Sequence, residues 1–145
     1  MLGGYLGSGK TTLAKSMVQD PNCAATIFYE ADMFFTDGSG KYTFDFNSLH
    51  DAHEWCRSSV FRLIEQGYSV IVSNTFTTEW EMSPYILKAA LNDYKIMIIE
   101  CVNEFESVHG VPPETIKKMQ ARWIPNGGLN FTVNIDKVVY LTYKV

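Results

Sequence analysis

The sequence predicts a three-layer α/β fold, in which helices cover both faces of a parallel β-sheet. Short apolar runs that are typical of buried strands lie at 24–30, 68–74 and 95–100. Between them, residues 48–66 and 79–91 carry apolar side chains at helical spacing. Buried strands that alternate with helices indicate a parallel sheet covered on both sides. The length of 145 residues suits a single domain, 1–145, with its own core.

A third observation narrows the fold class. Residues 4–11 read GYLGSGKT and fit the P-loop pattern GxxxxGK[ST], whose glycines let backbone N–H groups wrap around a triphosphate. Lys10 is placed to contact the β- and γ-phosphates, and Thr11 to ligate Mg²⁺. A helix behind the loop puts the bound anion at a helix N-terminus. We therefore predict a P-loop NTPase fold with ATP and Mg²⁺ as cofactors. The predicted nucleotide-binding residues are Gly4, Gly7, Ser8, Gly9, Lys10, Thr11 and Thr12.

The segment before the P-loop does not decide which residues form the central strand of the sheet. Only Met1, Leu2 and Gly3 precede Gly4, fewer than the ~5 residues of a usual strand. Either the strand lies upstream of this sequence, or another segment fills its position. The apolar tail at 136–145 reads as a C-terminal strand. Because unpaired buried backbone is costly, we expect the tail to cover or occupy the position beside the P-loop.

Charge and composition exclude several classes of protein. The net charge is −4 and the pI is about 5.3, so the surface cannot be strongly basic throughout, as extended duplex binders require. The three cysteines have neither zinc spacing nor a disulfide framework and read as reduced thiols. No signal peptide or bilayer-length apolar run is present. We expect a cytoplasmic protein without a membrane partner or metal cluster, and its oligomeric state stays open.

The strand ends indicate which chemistry the loop serves. Hydrolysing P-loop enzymes often place an acid after an apolar strand, but the strand at 68–74 ends without one. This favours transfer to an acceptor hydroxyl, which needs a general base at the same edge of the sheet. Asp32 follows the strand at 24–30 and is the predicted base, with turn capping as the alternative. Asn74 and Thr75 are candidate acceptor-binding residues, and local capping is equally open for them.

Further short motifs accompany the P-loop. They are EADMFF at 30–35, KYTFD at 41–45, AHEWC at 52–56, VIVSNT at 70–75, WE at 80–81 with PY at 84–85, and HGVP at 109–112. With these motifs the chain, from Gly4 to about Arg122, resembles small P-loop kinases of the polynucleotide 5′-hydroxyl kinase type. AAA-domain ATP-binding proteins similar to those kinases share the resemblance.

The resemblance implies ATP-dependent phosphorylation of a nucleic-acid 5′-hydroxyl, with a single-stranded 5′ end as the partner. Asp32 matches the general base of the family, and Lys10 and Thr11 match its phosphate and magnesium contacts. One departure is Phe35, because the polynucleotide kinase carries an arginine three residues after the aspartate. A second is the reduced arginine-rich stretch of its lid.

The region at 103–122 is predicted to act as a lid that excludes water. Within it, Arg122 is the candidate catalytic cation, with Lys118 beside it, although a solvated helix face explains both residues equally well. Two other functions remain open. One is a kinase for a small metabolite or nucleotide, and the other is a nucleotide-dependent binding module with slow ATPase activity. The alternating aromatic residues Tyr42, Phe44 and Phe46 fit either a small satellite core or a platform for a base or sugar.

Overall fold

The computed structural model describes residues 1–3, 8–23, 25–102 and 111–122, together with the backbone of 138–143. The strands in this part of the chain are β1 (Leu2–Gly3), β2 (Thr26–Tyr29), β3 (Ser69–Val72), β4 (Ile96–Cys101) and β5 (Val138–Tyr143). The α-helices are α1 (Lys10–Gln19), α2 (Leu49–Glu65), α3 (Glu79–Leu91) and α4 (Pro113–Ala121). Single 3₁₀ turns lie at Pro21–Cys23, Ala31–Phe35 and Phe46–Ser48.

All strand pairs in this part of the sheet are parallel. β2 pairs with β3, while β4 pairs with β1 on one side and with β5 on the other. A single parallel bridge between Leu2 and Ser73 joins the two groups, and the Leu2 carbonyl accepts a hydrogen bond from the Asn74 N–H at 3.3 Å. The strand order is therefore β2-β3-β1-β4-β5, with β1 at the centre.

The two faces of the sheet are covered by different helices. Successive strand residues point to opposite sides. Val72 and Ile98 pack in the larger cluster with buried residues of α2 and α3, whereas Ile71 and Ile99 pack with the fully buried Ala14 of α1. The predicted three-layer α/β architecture of a P-loop NTPase is confirmed.

Three helix ends show which residues set the bounds of the helices. α1 starts after Gly9, whose φ of +88° lies in the left-handed region that side chains disfavour. α2 ends before Gly67, which has φ +81° and donates its N–H to the Ile64 carbonyl at 3.0 Å. α3 begins with a carboxylate cap, since Glu81 accepts the Thr78 N–H at 3.0 Å.

The prediction that the C-terminal tail covers or occupies the sheet position beside the P-loop is wrong. β5 does lie in the tail, but it pairs with the far side of β4, one strand away from the position beside the P-loop. Leu2 and Gly3 fill that position themselves, opposite Ile99 and Glu100. Between its parallel neighbours, Leu2 is only 1% exposed.

The predicted lid falls partly outside the described residues, which leave out 103–110. Its remaining part contains α4, which begins at Pro113, a residue that suits the first helical position because it has no N–H to satisfy. Arg122 is the exposed C-cap of this helix, and its catalytic role stays a prediction. Within the described ranges, no helix combines the length and apolar character needed to cross a membrane.

Candidate functional site

The described part of the P-loop leads directly into α1. The Ser8 side chain is completely buried, and Gly9 provides the left-handed turn before the helix. Lys10 and Thr11 occupy the first turn of α1, and Thr12 beside them is exposed. Gly4 and Gly7 lie outside the described residues. The first turn thus brings an ammonium group and a hydroxyl together at a helix N-terminus, whose dipole favours an anion.

Lys10 lies at the C-terminal edge of the sheet, among acidic groups. Its ammonium donates to the Ser8 hydroxyl at 3.5 Å. Burial lowers the pKa of Lys10 from 10.5 to about 8, while the nearby Cys101, Glu30 and Asp32 act in the opposite direction. Burial also raises the pKa of the Cys101 thiol. The site therefore holds a cation whose charge becomes sensitive to pH just above neutrality.

Thr11 is hydrogen-bonded to a residue that follows β2. Its hydroxyl donates to Glu30 Oε2 at 2.8 Å. Glu30 follows β2 directly and is half-buried. A hydroxyl that donates its proton in this way keeps its lone pairs available for a cation. The hydroxyl and the carboxylate form a set of hard oxygen donors, which fits Mg²⁺.

Asp32 lies in the 3₁₀ turn that follows β2, at the edge where ligands bind in parallel sheets. The turn packs against α2 and leaves Asp32 half-buried. The Tyr42 hydroxyl donates to Asp32 Oδ1 across 3.4 Å. Burial, and then the negative charge of Asp32, raises the pKa of Tyr42 to about 12, so Tyr42 remains a proton donor. Asp32 therefore has a neutral donor that orients its carboxylate without neutralising it.

Asn74 and Thr75 reach the same edge of the sheet from β3. Asn74 is buried, its side-chain oxygen accepts the Ala31 N–H at 2.9 Å, and its amide donates to Cys56 Sγ at 3.7 Å. Thr75 is half-buried. The Asn74 contacts connect the end of β3 to the backbone between Glu30 and Asp32. They suit a positioning role, and acceptor binding by either residue stays a prediction.

Asn74→Ala is expected to destabilise the protein by about 1–3 kcal/mol, because the buried Ala31 N–H loses its partner. Urea unfolding measures the change. A control is Asn92→Ala, which deletes a hydrogen bond between a side-chain amide and the backbone at an exposed position, where Asn92 donates to the Lys88 carbonyl. Equal stability losses in the two variants would contradict the positioning role of Asn74.

ATP affinity is expected to fall as the pH rises through about 8. The triphosphate requires the protonated form of Lys10, which the ligand-free protein begins to lose at that pH. ATP affinity is therefore highest below about pH 8. Above that pH, the affinity falls by up to about tenfold per pH unit. Calorimetric titrations between neutral pH and pH 9.5 measure this. Lys10→Arg, whose guanidinium stays charged, should show a flatter profile. If ATP affinity of the parent protein depended as little on pH as that of Lys10→Arg, the assignment of the pH dependence to Lys10 would be contradicted.

The aromatic residues after Asp32 form a small cluster with an open side. Phe35 is buried and contacts Tyr42 and Phe44 edge-on, with ring centroids 6.2 and 5.0 Å apart. Phe44 is 50% exposed and Phe46 75% exposed. The satellite core thus includes Tyr42 and Phe44 but leaves Phe46 largely in solvent. Because Phe35 packs inward, its position presents neither charge nor side chain to an anionic acceptor.

A groove of about 400 Å³ lies beside this cluster. Its lining combines aromatic surface with charges of both signs. The residues are Phe34, Phe35, Thr36, Asp37, Lys41, Thr43, Asp45 and Ser48. Phe34, two residues after Asp32, is 40% exposed and contributes apolar surface. The groove is formed by the segment that carries the predicted base.

Sequence reasoning passed over two residues of this site. Glu30 appears there only as part of the motif at 30–35, and Tyr42 only as one of the alternating aromatic residues. The structure brings Glu30 to Thr11 and Tyr42 to Asp32. The position of Glu30 directly after a buried strand was the signal that could have revealed it. For Tyr42 the sequence offered no comparable signal, because the contact depends on the turn between residues 36 and 42.

The comparisons with known proteins agree with the P-loop fold. Residues 1–122 match the protein family described as AAA domain. NEDD4-binding protein 2 of Homo sapiens is 32% identical over 129 residues. That alignment covers 82% of this chain but only 7% of the human protein's length.

Proposed function

This chain belongs to the AAA domain family, which is P-loop kinase-like and binds nucleotides, and from this premise we propose that it is an ATP-dependent phosphotransferase acting on a nucleic-acid 5′-hydroxyl. One observation carries the proposal. Thr11, the neighbour of the phosphate-binding Lys10, donates its hydroxyl to Glu30 at 2.8 Å, and Glu30 stands two residues before Asp32. A donor phosphate held by Lys10 therefore lies near a base that can activate an acceptor.

The donor is Mg-ATP. Lys10 and the amides at the start of α1 hold the phosphates, and their positive charge stabilises the negative charge that develops during transfer. Thr11 is the residue that would hold the Mg²⁺ ion through its hydroxyl oxygen, and the Glu30 carboxylate accepts the hydrogen bond of that hydroxyl. When bound, Mg²⁺ neutralises phosphate charge and orients the β- and γ-phosphates.

Asp32 is the general base. One carboxylate oxygen takes the proton of the acceptor hydroxyl as that oxygen forms its bond to the γ-phosphorus. The bond between the γ-phosphorus and the bridging oxygen breaks, and ADP leaves. Tyr42 keeps its own proton and orients the carboxylate. At the end of β3, Ser73 and Asn74 carry no acid that could activate water in place of the acceptor.

The resemblance to polynucleotide 5′-hydroxyl kinases supports the nucleic-acid acceptor, and the exposed face of Phe34 offers a stacking surface near Asp32. A small neutral metabolite is the second candidate acceptor. It is favoured by the inward packing of Phe35, where the polynucleotide kinase has an arginine, and by Asp37 and Asp45 in the groove.

Transfer of label from γ-labelled ATP to a panel of acceptors tests the proposal. The panel contains single-stranded DNA and RNA with 5′-hydroxyl ends, nucleosides and sugars. We expect labelled oligonucleotides. Label on nucleosides or sugars alone would assign the metabolite-kinase function instead, and hydrolysis without any labelled acceptor would overturn the transferase proposal.

A further inference from the structure

The end of β3 lacks the acid that many P-loop enzymes use to support the magnesium ion. Ser73 and Asn74 occupy this place, and both are buried and uncharged. The Asn74 oxygen is engaged by the Ala31 N–H at 2.9 Å. Within the described part of the chain, the buried Ser73 hydroxyl has no hydrogen-bond partner. A negative charge for the metal must therefore come from another strand.

Glu30 is in a position to provide that charge. It follows β2, and because α1 packs against β2 as well as against β1, the Glu30 carboxylate meets the first turn of α1. There, Glu30 Oε2 accepts a hydrogen bond from the Thr11 hydroxyl oxygen at 2.8 Å. The bond from Asn74 to Ala31 fixes the residue next to Glu30. The neutral residue at the end of β3 thus holds in place the backbone that carries the charge.

We propose that Glu30 is the positioning carboxylate for nucleotide-bound Mg²⁺ in this protein and takes the place of the acid missing after β3. By accepting the hydrogen bond from the Thr11 hydroxyl, Glu30 turns the oxygen lone pairs of Thr11 toward the cation. Its negative charge also attracts the cation and the water molecules around it. This inference rests on the proposed Mg-ATP-dependent function and names the chain's own support for the metal.

The charge of Glu30 should affect ATP binding in opposite directions with and without metal. With Mg²⁺ present, the carboxylate favours the cation and hence the complex. Without metal, the same carboxylate repels the bare triphosphate. A residue that only maintained the fold would change both affinities in the same direction. The two conditions therefore separate a metal-positioning role from a structural one.

Glu30→Gln tests the inference, because glutamine keeps an oxygen that can accept the Thr11 hydroxyl proton and loses only the charge. Calorimetry measures ATP affinity in excess Mg²⁺ and in EDTA. The gain in affinity that Mg²⁺ brings should fall by about tenfold or more. Affinity in EDTA should stay equal or increase. The matched control Asp51→Asn removes one exposed carboxylate from α2 and should leave both affinities unchanged.

A double-mutant cycle checks the route through Thr11. Thr11→Val removes the hydroxyl, so Glu30→Gln should have a much smaller effect in that background. An unchanged Mg²⁺ gain in Glu30→Gln, or an equal loss in both conditions, would overturn the role of Glu30 while phosphate transfer by the parent stands. A parent that binds no ATP in either condition would overturn both this inference and the proposed function.

Discussion

Asp32→Asn is expected to slow phosphate transfer by about 10²-fold or more and to leave ATP affinity nearly unchanged. Asparagine preserves the shape of the side chain and an oxygen for the Tyr42 hydroxyl, so the substitution removes charge and basicity. The acceptor oxygen would then have to lose its proton without a base. End-labelling rates of a short 5′-hydroxyl oligonucleotide measure the first effect, and ATP titration measures the second.

Asp51→Asn is a suitable control, because Asp51 lies exposed in the first turn of α2. It removes the same charge from a position outside the site. If Asp32→Asn labels ends as fast as the parent, Asp32 is a structural turn residue and the base must be sought elsewhere. Loss of ATP binding in Asp32→Asn would also contradict its assignment to the acceptor side.

Lys10→Ala is expected to raise the barrier to phosphate transfer by at least about 2 kcal/mol, which corresponds to a rate lower by about 30-fold. The substitution removes the point charge that contacts the transferring phosphate. The fold should survive, because the substitution removes a half-buried charge whose desolvation lowers its pKa. Steady-state turnover measures the loss, and circular dichroism with thermal unfolding checks the fold.

Lys15→Ala provides the comparison for this variant. Lys15 is exposed on α1, so its loss removes a lysine from the same helix outside the phosphate site. It should leave turnover close to the parent value. Unchanged turnover in a correctly folded Lys10→Ala protein would contradict the kinase proposal at its donor site.

Local pattern was sufficient to predict most helices and strands. Residues 79–91 were predicted as a helix with the bounds that α3 has. The helical spacing at 48–66 matches α2 to within one residue at each end, and Gly67 follows in the left-handed conformation that glycine allows. These features depend on neighbours within a few residues, and so they can be read from spacing and turn chemistry.

Strand order could not be read in the same way. The tail at 136–145 was assigned to the position beside the P-loop because Leu2 and Gly3 looked too few for a strand. Pairing across the sheet decides the matter instead, since Leu2 lies beside Ile99 on one side and bridges to Ser73 on the other. Such partners are distant in sequence and leave no local pattern.

The candidate site was predicted in outline, and its supporting contacts were not. The P-loop pattern identified Lys10 and Thr11, and strand-end reasoning identified Asp32. Glu30 and Tyr42 were missed because their roles depend on which side chain meets which across the folded edge. Asn74 was placed at the correct edge, but its amide is directed to the Ala31 backbone and Cys56.

The most direct test of the central claim is where the γ-phosphate goes. The parent protein is incubated with γ-labelled ATP, Mg²⁺ and a short single-stranded oligonucleotide with a 5′-hydroxyl, and the label is divided between oligonucleotide and free phosphate. If the γ-phosphate is transferred to the acceptor, most of the label will lie on the oligonucleotide. The same oligonucleotide already phosphorylated at its 5′ end will take up none. Label found only as free phosphate, released equally fast with and without the acceptor, would contradict the account.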